Sequence, residues 1–292
     1  MTRIRAVSIF LTLAIMFGFS FLSKKEPVIR VSKYLENVKK VTYQTARTTE
    51  ESLSTQIDFV SGELQVFPLY SDSLYKFDAF YKVHKVKPLV KFETGVPARL
   101  DIRLKKYQKL GLSSRSFWNL GLNRHVSHDI FIQSKASKQT LNFTGIPVER
   151  LKVDAGASRI YMYFNEVNPI EMERLYLDLG ASDCRIFGLS NSRSKKVDIF
   201  GGTGLYSIDF SGRQTASSNV NIHGGVGRAK LIIPPNINAR ITFEGRVLTS
   251  LDIQGFIKSN KNEYLSARFS PQKAILDISI HLVSGTLVVL GN

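Results

Sequence analysis

Two near-identical segments in the middle of the chain decide the fold. Residues 151–158 read Leu-Lys-Val-Asp-Ala-Gly-Ala-Ser, and residues 175–182 read Leu-Tyr-Leu-Asp-Leu-Gly-Ala-Ser. In both segments apolar and polar residues alternate up to the glycine, which is typical of a strand with one buried and one exposed face. The segments start 24 residues apart, and self-similarity at such a spacing indicates a repeat architecture.

Looser copies of this unit follow towards the C-terminus. Each copy has an aliphatic residue, then Asp or Asn, then another aliphatic residue, and most have Gly close behind. We expect two or three short strands in each unit. One unit is too short to bury its own apolar face, so units must stack, with about 4.8 Å between neighbouring strands. We therefore predict an all-β fold, a single-stack β-solenoid with rungs of about 20–25 residues. The looser copies are Val197–Ile199, Val220–Ile222, Leu251–Ile253 and Leu276–Ile278.

The sequence pattern also divides the chain into segments. Period-two alternation begins near Thr55, which places the solenoid domain at residues 55–292. Residues 24–54 are polar and charged, and we interpret them as a linker or stalk. An antiparallel sandwich is the alternative for the folded part, because strands that recur every 8–12 residues or so also fit that fold. The constant order of residues inside each unit favours the solenoid.

The first segment of the chain has the pattern of an export signal. Arg3 and Arg5 precede an apolar run from Ala6 to Leu22. The run is close to the lower limit of about 17 residues for a membrane-spanning helix. We predict a hydrophobic N-terminal helix over residues 1–23, either a cleaved signal peptide or a retained membrane anchor. The predicted location is extracytoplasmic, anchored in one case and secreted or periplasmic in the other.

The charge balance bears on possible partners. The chain has 40 Lys and Arg against 24 Asp and Glu, a net charge of +16. Such a charge favours anionic partners, and with an export signal these are anionic lipid or an envelope polymer rather than nucleic acid; a membrane protein is a further possible partner. The basic clusters are Arg103, Lys105, Lys106 and Lys109, and Arg193, Lys195 and Lys196.

The residues that could carry chemistry give weak signals. His125, His128 and Asp129 could ligate a metal, but the spacing alone is unspecific and a polar loop is the simpler interpretation. Ser192 and Lys195 have the spacing of a Ser/Lys nucleophile motif, which belongs on a helix rather than in a polar loop between strands. We predict no catalytic, cofactor-binding or metal-binding residues.

Two glycine runs and the single cysteine have structural interpretations. Gly201–Gly204 and Gly224–Gly227 lie between predicted strands and lack the Lys-Ser or Lys-Thr pair of a phosphate-binding loop. We interpret both runs as solenoid corners, where glycine permits turns with positive φ. Cys184 stands four residues after its glycine, as Ile160 does. It is therefore predicted to be a buried and inert core residue, and a single cysteine excludes a disulfide scaffold.

One enzymatic alternative remains, an enzyme that acts on polysaccharide. The Asp residues at the centres of four repeat units would point outwards from adjacent rungs and form a ladder. Glycoside hydrolysis needs two carboxylates about 5–9.5 Å apart, which adjacent rungs could supply. The residues of this predicted ladder are Asp154, Asp178, Asp198 and Asp252.

Three features together resemble a known family. The first is a glycine-containing strand with a later aromatic segment, the second is the repeated Leu-x-x-Asp-x-Gly-Ala-Ser unit, and the third is a glycine-rich strand followed by a proline turn. They are Ser61–Val66 with Phe117–Leu120, Leu151–Ser158 with Leu175–Ser182, and Gly225–Pro234 with Ala239–Ile241. Over about residues 55–260 the chain resembles the toastrack β-solenoid domains, which are related to the C-terminal domain of LiaF-type cell-envelope stress proteins.

This resemblance implies a bacterial envelope β-solenoid of adhesin-like or sensing character, without known catalysis. The LiaF-type proteins carry several transmembrane helices and restrain a cell-wall stress system, whereas this chain has one short hydrophobic segment. The expectation is a non-enzymatic envelope protein that binds, senses or serves as a scaffold. A regulator of a membrane cell-wall-stress sensor is the alternative. No functional residue of the family can be transferred, because the matching positions are glycines and aliphatic residues.

Overall fold

The computed structural model describes residues 38–82, 87–104, 116–245 and 249–291. Within these ranges the chain forms strands of one mixed sheet and a single short 3-10 helix, Leu189–Ser192, which confirms the all-β prediction. None of the helical structure in the described ranges is long and apolar enough to cross a membrane. The predicted hydrophobic segment 1–23 lies outside the described residues.

The strands fall into long ones of 15–18 residues and shorter ones near the two ends of the sheet. In chain order they are β1 (Val38–Ala46), β2 (Ser52–Leu69), β3 (Ser73–Lys82), β4 (Pro88–Glu93), β5 (Ala98–Leu104), β6 (Ser116–Asn123), β7 (Ser127–Asn142), β8 (Val148–Tyr163), β9 (Met172–Phe187), β10 (Ser194–Asp209), β11 (Ser218–Ile232), β12 (Ala239–Gly245), β13 (Thr249–Gln254), β14 (Phe256–Lys258), β15 (Glu263–Ser266) and β16 (Leu276–Leu290).

The long strands stack in parallel, in the order β2-β7-β8-β9-β10-β11-β16. Equivalent positions in β7 to β11 are 21, 24, 22 and 23 residues apart. This register confirms the β-solenoid and its rung length, and the antiparallel sandwich is wrong. The equivalent positions are Ile130, Leu151, Leu175, Val197 and Val220.

Each central rung is one long bent strand, not the two or three short strands that the sequence predicts. In β10 a first leg (Ser194–Gly201) leads into a corner (Gly202–Gly204), and a second leg (Leu205–Asp209) follows. Val197 and Ile199 of the first leg and Tyr206 and Ile208 of the second leg are buried, which is the alternation expected of a strand with one face towards the core. The long strand forms because the glycines at the corner let hydrogen bonding continue through the bend.

Close approach of neighbouring rungs requires glycine at the central corners. A Cβ on Gly202 would lie 2.7 Å from the carbonyl oxygen of Gly180, and a Cβ on Gly180 would lie 2.7 Å from that of Gly156. A Cβ on Gly204 would collide with the carbonyl oxygen of Ser182. The sequence interpretation assigned corner glycines to turns with positive φ. In these central rungs the reason is instead the lack of space between stacked backbones.

The interior is filled by columns of aliphatic side chains, one residue per rung. Leu151, Leu175, Val197 and Val220 form one fully buried column in the first leg. Burial of each such side chain contributes about 1.5–3 kcal/mol. Cys184 pairs in register with Ile160 in the second leg and is buried, which confirms its prediction as a core residue. Burial raises the pKa of its thiol to about 12.

The C-terminal end does not follow chain order. Strand β16 lies between β11 and a last rung that β12 and β13 form together. Ile241 of β12 therefore holds the position equivalent to Val220, through Ile278 of β16. Leu251 pairs with Leu287 in the second leg, so its assignment as the next first-leg repeat is wrong. Apolar and polar residues alternate with the same period in both legs, so an apolar-Asp-apolar triplet does not show which leg it belongs to.

The N-terminal end is also reordered. Strand β2 lies between β7 and a first rung in which β5 and β6 pair with its two legs. Strands β4 and β3 cover β5 and β6 in antiparallel pairing, and β1 pairs with β3. Residues 38–46 and 52–54 are thus strands of the sheet, not part of a stalk as predicted. The polar character of residues 38–46 belongs to an edge strand, in which Val41 and Tyr43 pack against the core.

Candidate binding surfaces

The structure separates the three candidate metal ligands. His125 is exposed, whereas His128 is fully buried and its Nε2 donates to the carbonyl oxygen of Asn123 over 2.8 Å. Burial lowers the pKa of His128 to about 4. Asp129 faces outwards and its Oδ2 lies 2.7 Å from Nη2 of Arg150. These side chains point in different directions, and no three metal-ligating side chains converge anywhere in the described part of the chain.

Ser192 and Lys195 do not form a nucleophilic pair. The hydroxyl oxygens of Ser192 and Ser194 are hydrogen-bonded at 2.8 Å in the interior. The Nζ of Lys195 is exposed and lies 2.6 Å from Oε1 of Glu171. The motif therefore divides between a buried residue at the end of the 3-10 helix and an exposed residue of β10.

Three of the four described residues in the two predicted basic clusters already have acidic partners. In the second cluster Arg193 donates to two backbone carbonyl oxygens, Lys195 pairs with Glu171, and Lys196 lies 3.7 Å from Asp198. In the first cluster Arg103 lies 3.5 Å from Asp101. The remaining members, Lys105, Lys106 and Lys109, lie outside the described residues.

The predicted Asp ladder is broken. Asp154 and Asp178 are neighbours in register, but the next residue of their column is Phe200. Asp198 is shifted by two residues and pairs with Tyr176, and Asp252 lies in the second leg. The ladder prediction is wrong because the Val-Asp-Ile triplet of β10 pairs with residues 175–177 of β9. The Leu-Asp-Leu triplet of β9 begins two residues later, at Leu177.

Asp198 is held in a structural ion pair. Its Oδ2 lies 2.6 Å from Nη2 of Arg174, and its Oδ1 accepts a hydrogen bond from Asn221 at 2.9 Å. Burial favours the protonated form, but the hydrogen bonds from Asn221 and Arg174 hold the pKa of Asp198 below its ordinary value. This carboxylate therefore joins three neighbouring rungs.

A shallow cleft of about 720 Å³ runs across the corners of rungs β9, β10, β11, β16 and β12. We call it the corner cleft. Its floor is formed by the predicted corner glycines Gly201, Gly202, Gly224 and Gly225 with Gly180, and Leu282 and Val283 border it. Its outer wall is one column of side chains, one from each rung. The wall residues are Asp178, Phe200, His223, His281 and Glu244.

The three rings of this wall form a parallel stack. The ring centroids of Phe200 and His223 are 4.9 Å apart, and those of His223 and His281 are 5.0 Å apart, with 5° between the planes in both cases. The Nδ1 of His281 lies 3.2 Å from Oε2 of Glu244. Sequence reasoning missed these residues. The signal was present in the aromatic residue directly before each Gly-Gly pair, Phe200 and His223.

The second legs of β8 to β11 present a different surface, which we call the basic face. Arg159 and Arg185 share one acid, Asp183, at 3.7 Å each. Arg228 and Lys230 of β11 are exposed, and the described residues include no ion-pair partner for either. The basic face consists of Arg159, Arg185, Arg228 and Lys230.

The architecture is that of a parallel β-solenoid with reordered ends. Residues 32–171 match the family model Toast_rack_N, the N-terminal domain of toast_rack, DUF2154. Residues 32–171 therefore carry a toastrack-type domain, as the resemblance indicated.

Two solved structures are similar to the chain. A proposed cell adhesion protein from Clostridium sporogenes ATCC 15579 is 18% identical with a TM-score of 0.48, over 87% of this chain and 100% of that chain. A proposed adhesin from Bacteroides fragilis NCTC 9343 is 11% identical with a TM-score of 0.31, over 86% of this chain and 97% of that chain. No curated protein matches the sequence.

Proposed function

We propose that the protein is a non-enzymatic scaffold of the bacterial cell envelope, located outside the cytoplasm, which binds an anionic envelope polymer through its basic face. The observation that carries the proposal is the pair Arg228 and Lys230, which are exposed without acidic partners of their own, two rungs from Arg185 and three from Arg159. The toastrack domain and the export signal support the envelope location.

The solenoid fixes the spacing of these charges. Each belongs to a rung, and rungs are about 4.8 Å apart, so the four basic side chains occupy set positions along the stack axis. Arg185 and Lys230 share one column, two rungs apart. A polymer with regularly repeated phosphate or carboxylate groups can contact several of them at once. Each exposed ion pair contributes only about 0.2–1 kcal/mol, so binding depends on several contacts at once.

The arrangement of the remaining polar residues supports a binding role rather than catalysis. The side chains that could act as nucleophile, acid or base are held apart or paired structurally, as Ser192, Lys195 and Asp198 are. Asp154 and Asp178 remain as one in-register carboxylate pair. Incubation of the protein with an acidic polysaccharide should release no new reducing ends, and their appearance would contradict the non-enzymatic assignment.

The test of binding compares two double substitutions with the same change of charge. The full chain is titrated with polyglycerol phosphate, a polymer with one negative charge per unit. Arg228→Gln with Lys230→Gln should weaken binding roughly fivefold or more. Lys195→Gln with Lys196→Gln is the matched control, because both lysines already have acidic partners. Binding should also weaken at high salt, because exposed charges are screened.

Two results would contradict this proposal. One is equal loss of affinity in both double variants, which would mean that only net charge matters. The other is binding to vesicles of anionic lipid but not to the polymer, which would make a membrane surface the partner.

A further inference from the structure

The corner cleft lies on a different part of the molecule from the basic face, and its chemistry is different. Its wall carries a carboxylate at each end, Asp178 and Glu244, with three rings between them. The wall crosses five rungs, a length of about 19 Å at about 4.8 Å per rung. We propose that the corner cleft binds an uncharged glycan segment of about four sugar units. This site is additional to the one for the anionic polymer.

The stacking of the rings decides which atoms a ligand meets. Because Phe200, His223 and His281 face one another along the stack axis at 5°, their edges border the cleft. The edge of a neutral imidazole carries one N–H donor and one nitrogen acceptor. His281 Nδ1 lies against Glu244, which orients that ring. The wall thus offers donors and acceptors at a repeat of 5.0 Å between His223 and His281, which suits a chain of hydroxyl groups.

The floor of the cleft is flat because the fold forbids side chains there. A Cβ on Gly225 would lie 2.5 Å from the carbonyl oxygen of Gly202, and a Cβ on Gly202 would lie 2.7 Å from that of Gly180. Main chain is therefore exposed over three successive rungs. A flat sugar ring can approach this floor closely, with its apolar C–H groups against the backbone and against Val283, which is 48% exposed.

The charges at the cleft favour a neutral ligand. Among the described residues Asp178 has no ion-pair partner, and the one ion-pair partner of Glu244 is His281. An anionic polymer would be repelled at both ends of the wall, whereas sugar hydroxyl groups can donate hydrogen bonds to both carboxylates. The rung spacing is also close to the length of one pyranose unit in an extended glycan. Successive sugar units could therefore contact equivalent positions on successive rungs.

The test is the dependence of affinity on glycan length. The full chain is titrated calorimetrically with neutral β-linked oligosaccharides of glucose and of N-acetylglucosamine, from one to six units. For at least one series the affinity should rise with each unit and level off after about four units. It should be insensitive to salt. The absence of length-dependent binding in both series would overturn the proposal.

Alanine substitutions in the wall of the corner cleft test whether the glycan binds there. Phe200→Ala and His223→Ala should each weaken tetrasaccharide binding roughly fivefold. Leu205→Ala is the matched control for Phe200→Ala, because Leu205 is an exposed apolar residue of the same strand outside the cleft. Circular dichroism spectra like that of the parent chain verify that the variants fold. Equal effects of Leu205→Ala and Phe200→Ala would overturn the proposed site.

The double substitution of Arg228 and Lys230 separates the two sites. It should leave tetrasaccharide binding unchanged, even if the anionic polymer does not bind as proposed. Loss of tetrasaccharide binding in this folded double variant would place the glycan outside the corner cleft and contradict the inference.

Discussion

The centre and the ends of the stack use the same bent rung but connect it to the chain differently. In the centre, β8 to β11 follow one another in chain order, and each rung contacts its sequence neighbours. At the ends, β2 and β16 are inserted between strands that lie far from them in sequence. Antiparallel strands then cover much of the terminal rungs. Repeat proteins need such atypical ends, because a bare terminal rung would expose its apolar face.

The largest loss of stability is expected when a side chain is added at a glycine of a central corner. In Gly204→Ala the new Cβ would collide with the carbonyl oxygen of Ser182, a backbone atom that the neighbouring rung holds in place. We expect a loss of about 4 kcal/mol in unfolding free energy, at the upper end of core overpacking. Chemical denaturation measures it.

An end-rung glycine is the control for that corner. A Cβ on Gly121 of β6 would meet side-chain atoms of Phe67 and Leu69 at 3.0 and 3.1 Å, and these can move. Gly121→Ala should therefore cost only about 1 kcal/mol. If the two glycine variants lost equal stability, close stacking of the backbone would not be the reason for the central corners.

The second prediction compares core residues in the two regions. Leu177 of β9 is fully buried, whereas Leu251 of the last rung is half-buried. Leu177→Ala should cost about 3 kcal/mol, since it leaves a cavity between packed rungs, and Leu251→Ala about 1 kcal/mol. Denaturant unfolding measures the difference in stability between the two variants, and the midpoints can be compared directly if the dependence of unfolding free energy on denaturant is the same. A larger loss at Leu251 would contradict the assignment of β13 to an end rung.

The third prediction concerns how stability depends on pH through His128, which lies at the junction between β2 and the central rungs. Its pKa is lowered to about 4 by burial, whereas the unfolded chain has an ordinary histidine pKa of about 6.5. Below pH of about 6.5 the unfolded state binds the proton more strongly, so stability falls as the pH drops from about 6.5 to 4. The full loss from this group is about 3 kcal/mol.

The matched variants for this pH effect are His128→Gln and His125→Gln. Unfolding free energies measured across the pH range should show the acid-induced loss in the parent and in His125→Gln, since His125 is exposed. The loss should be smaller by about 3 kcal/mol in His128→Gln. Identical pH profiles for all three proteins would show that His128 is not the buried neutral group described above.

The smallest loss of stability is expected when an ion pair is broken. Arg174→Gln removes one partner of the buried carboxylate of Asp198, but the arginine is half-exposed and Asn221 remains bound, so the cost should be about 1 kcal/mol. Arg103→Gln near the N-terminal end breaks an exposed pair with Asp101 and should change stability by less than about 0.5 kcal/mol. Thermal denaturation of both variants compares the two regions.

The sequence is sufficient to predict the centre of the fold and insufficient for its ends. The two Gly-Ala-Ser segments predict the parallel rungs and place Cys184 opposite Ile160, because a strict local repeat fixes the register. The positions of β2 and β16 depend on pairings between distant segments, which local alternation cannot specify. The same alternation in both legs also allowed Leu251 to be mistaken for a first-leg residue.

The candidate surfaces were predicted less well, for a related reason. A strand register that shifts by two residues keeps every side chain on the same face, so alternation alone could not detect that Asp198 is out of line with Asp178. Correct register would have placed Phe200, His223 and His281 in one column. The basic face was missed because charge was considered in clusters along the sequence, whereas Arg185 and Lys230 come together through stacking.

Two separate outward surfaces of one solenoid are proposed to bind two kinds of polymer. Methyl NMR of the full chain tests this proposal directly, with Leu205 beside the basic face and Val283 in the corner cleft as reporters. Polyglycerol phosphate should shift the Leu205 methyl signals and leave Val283 unchanged, and a neutral tetrasaccharide should do the reverse. Shifts of the same methyl groups with both ligands, or of neither group, would contradict the account.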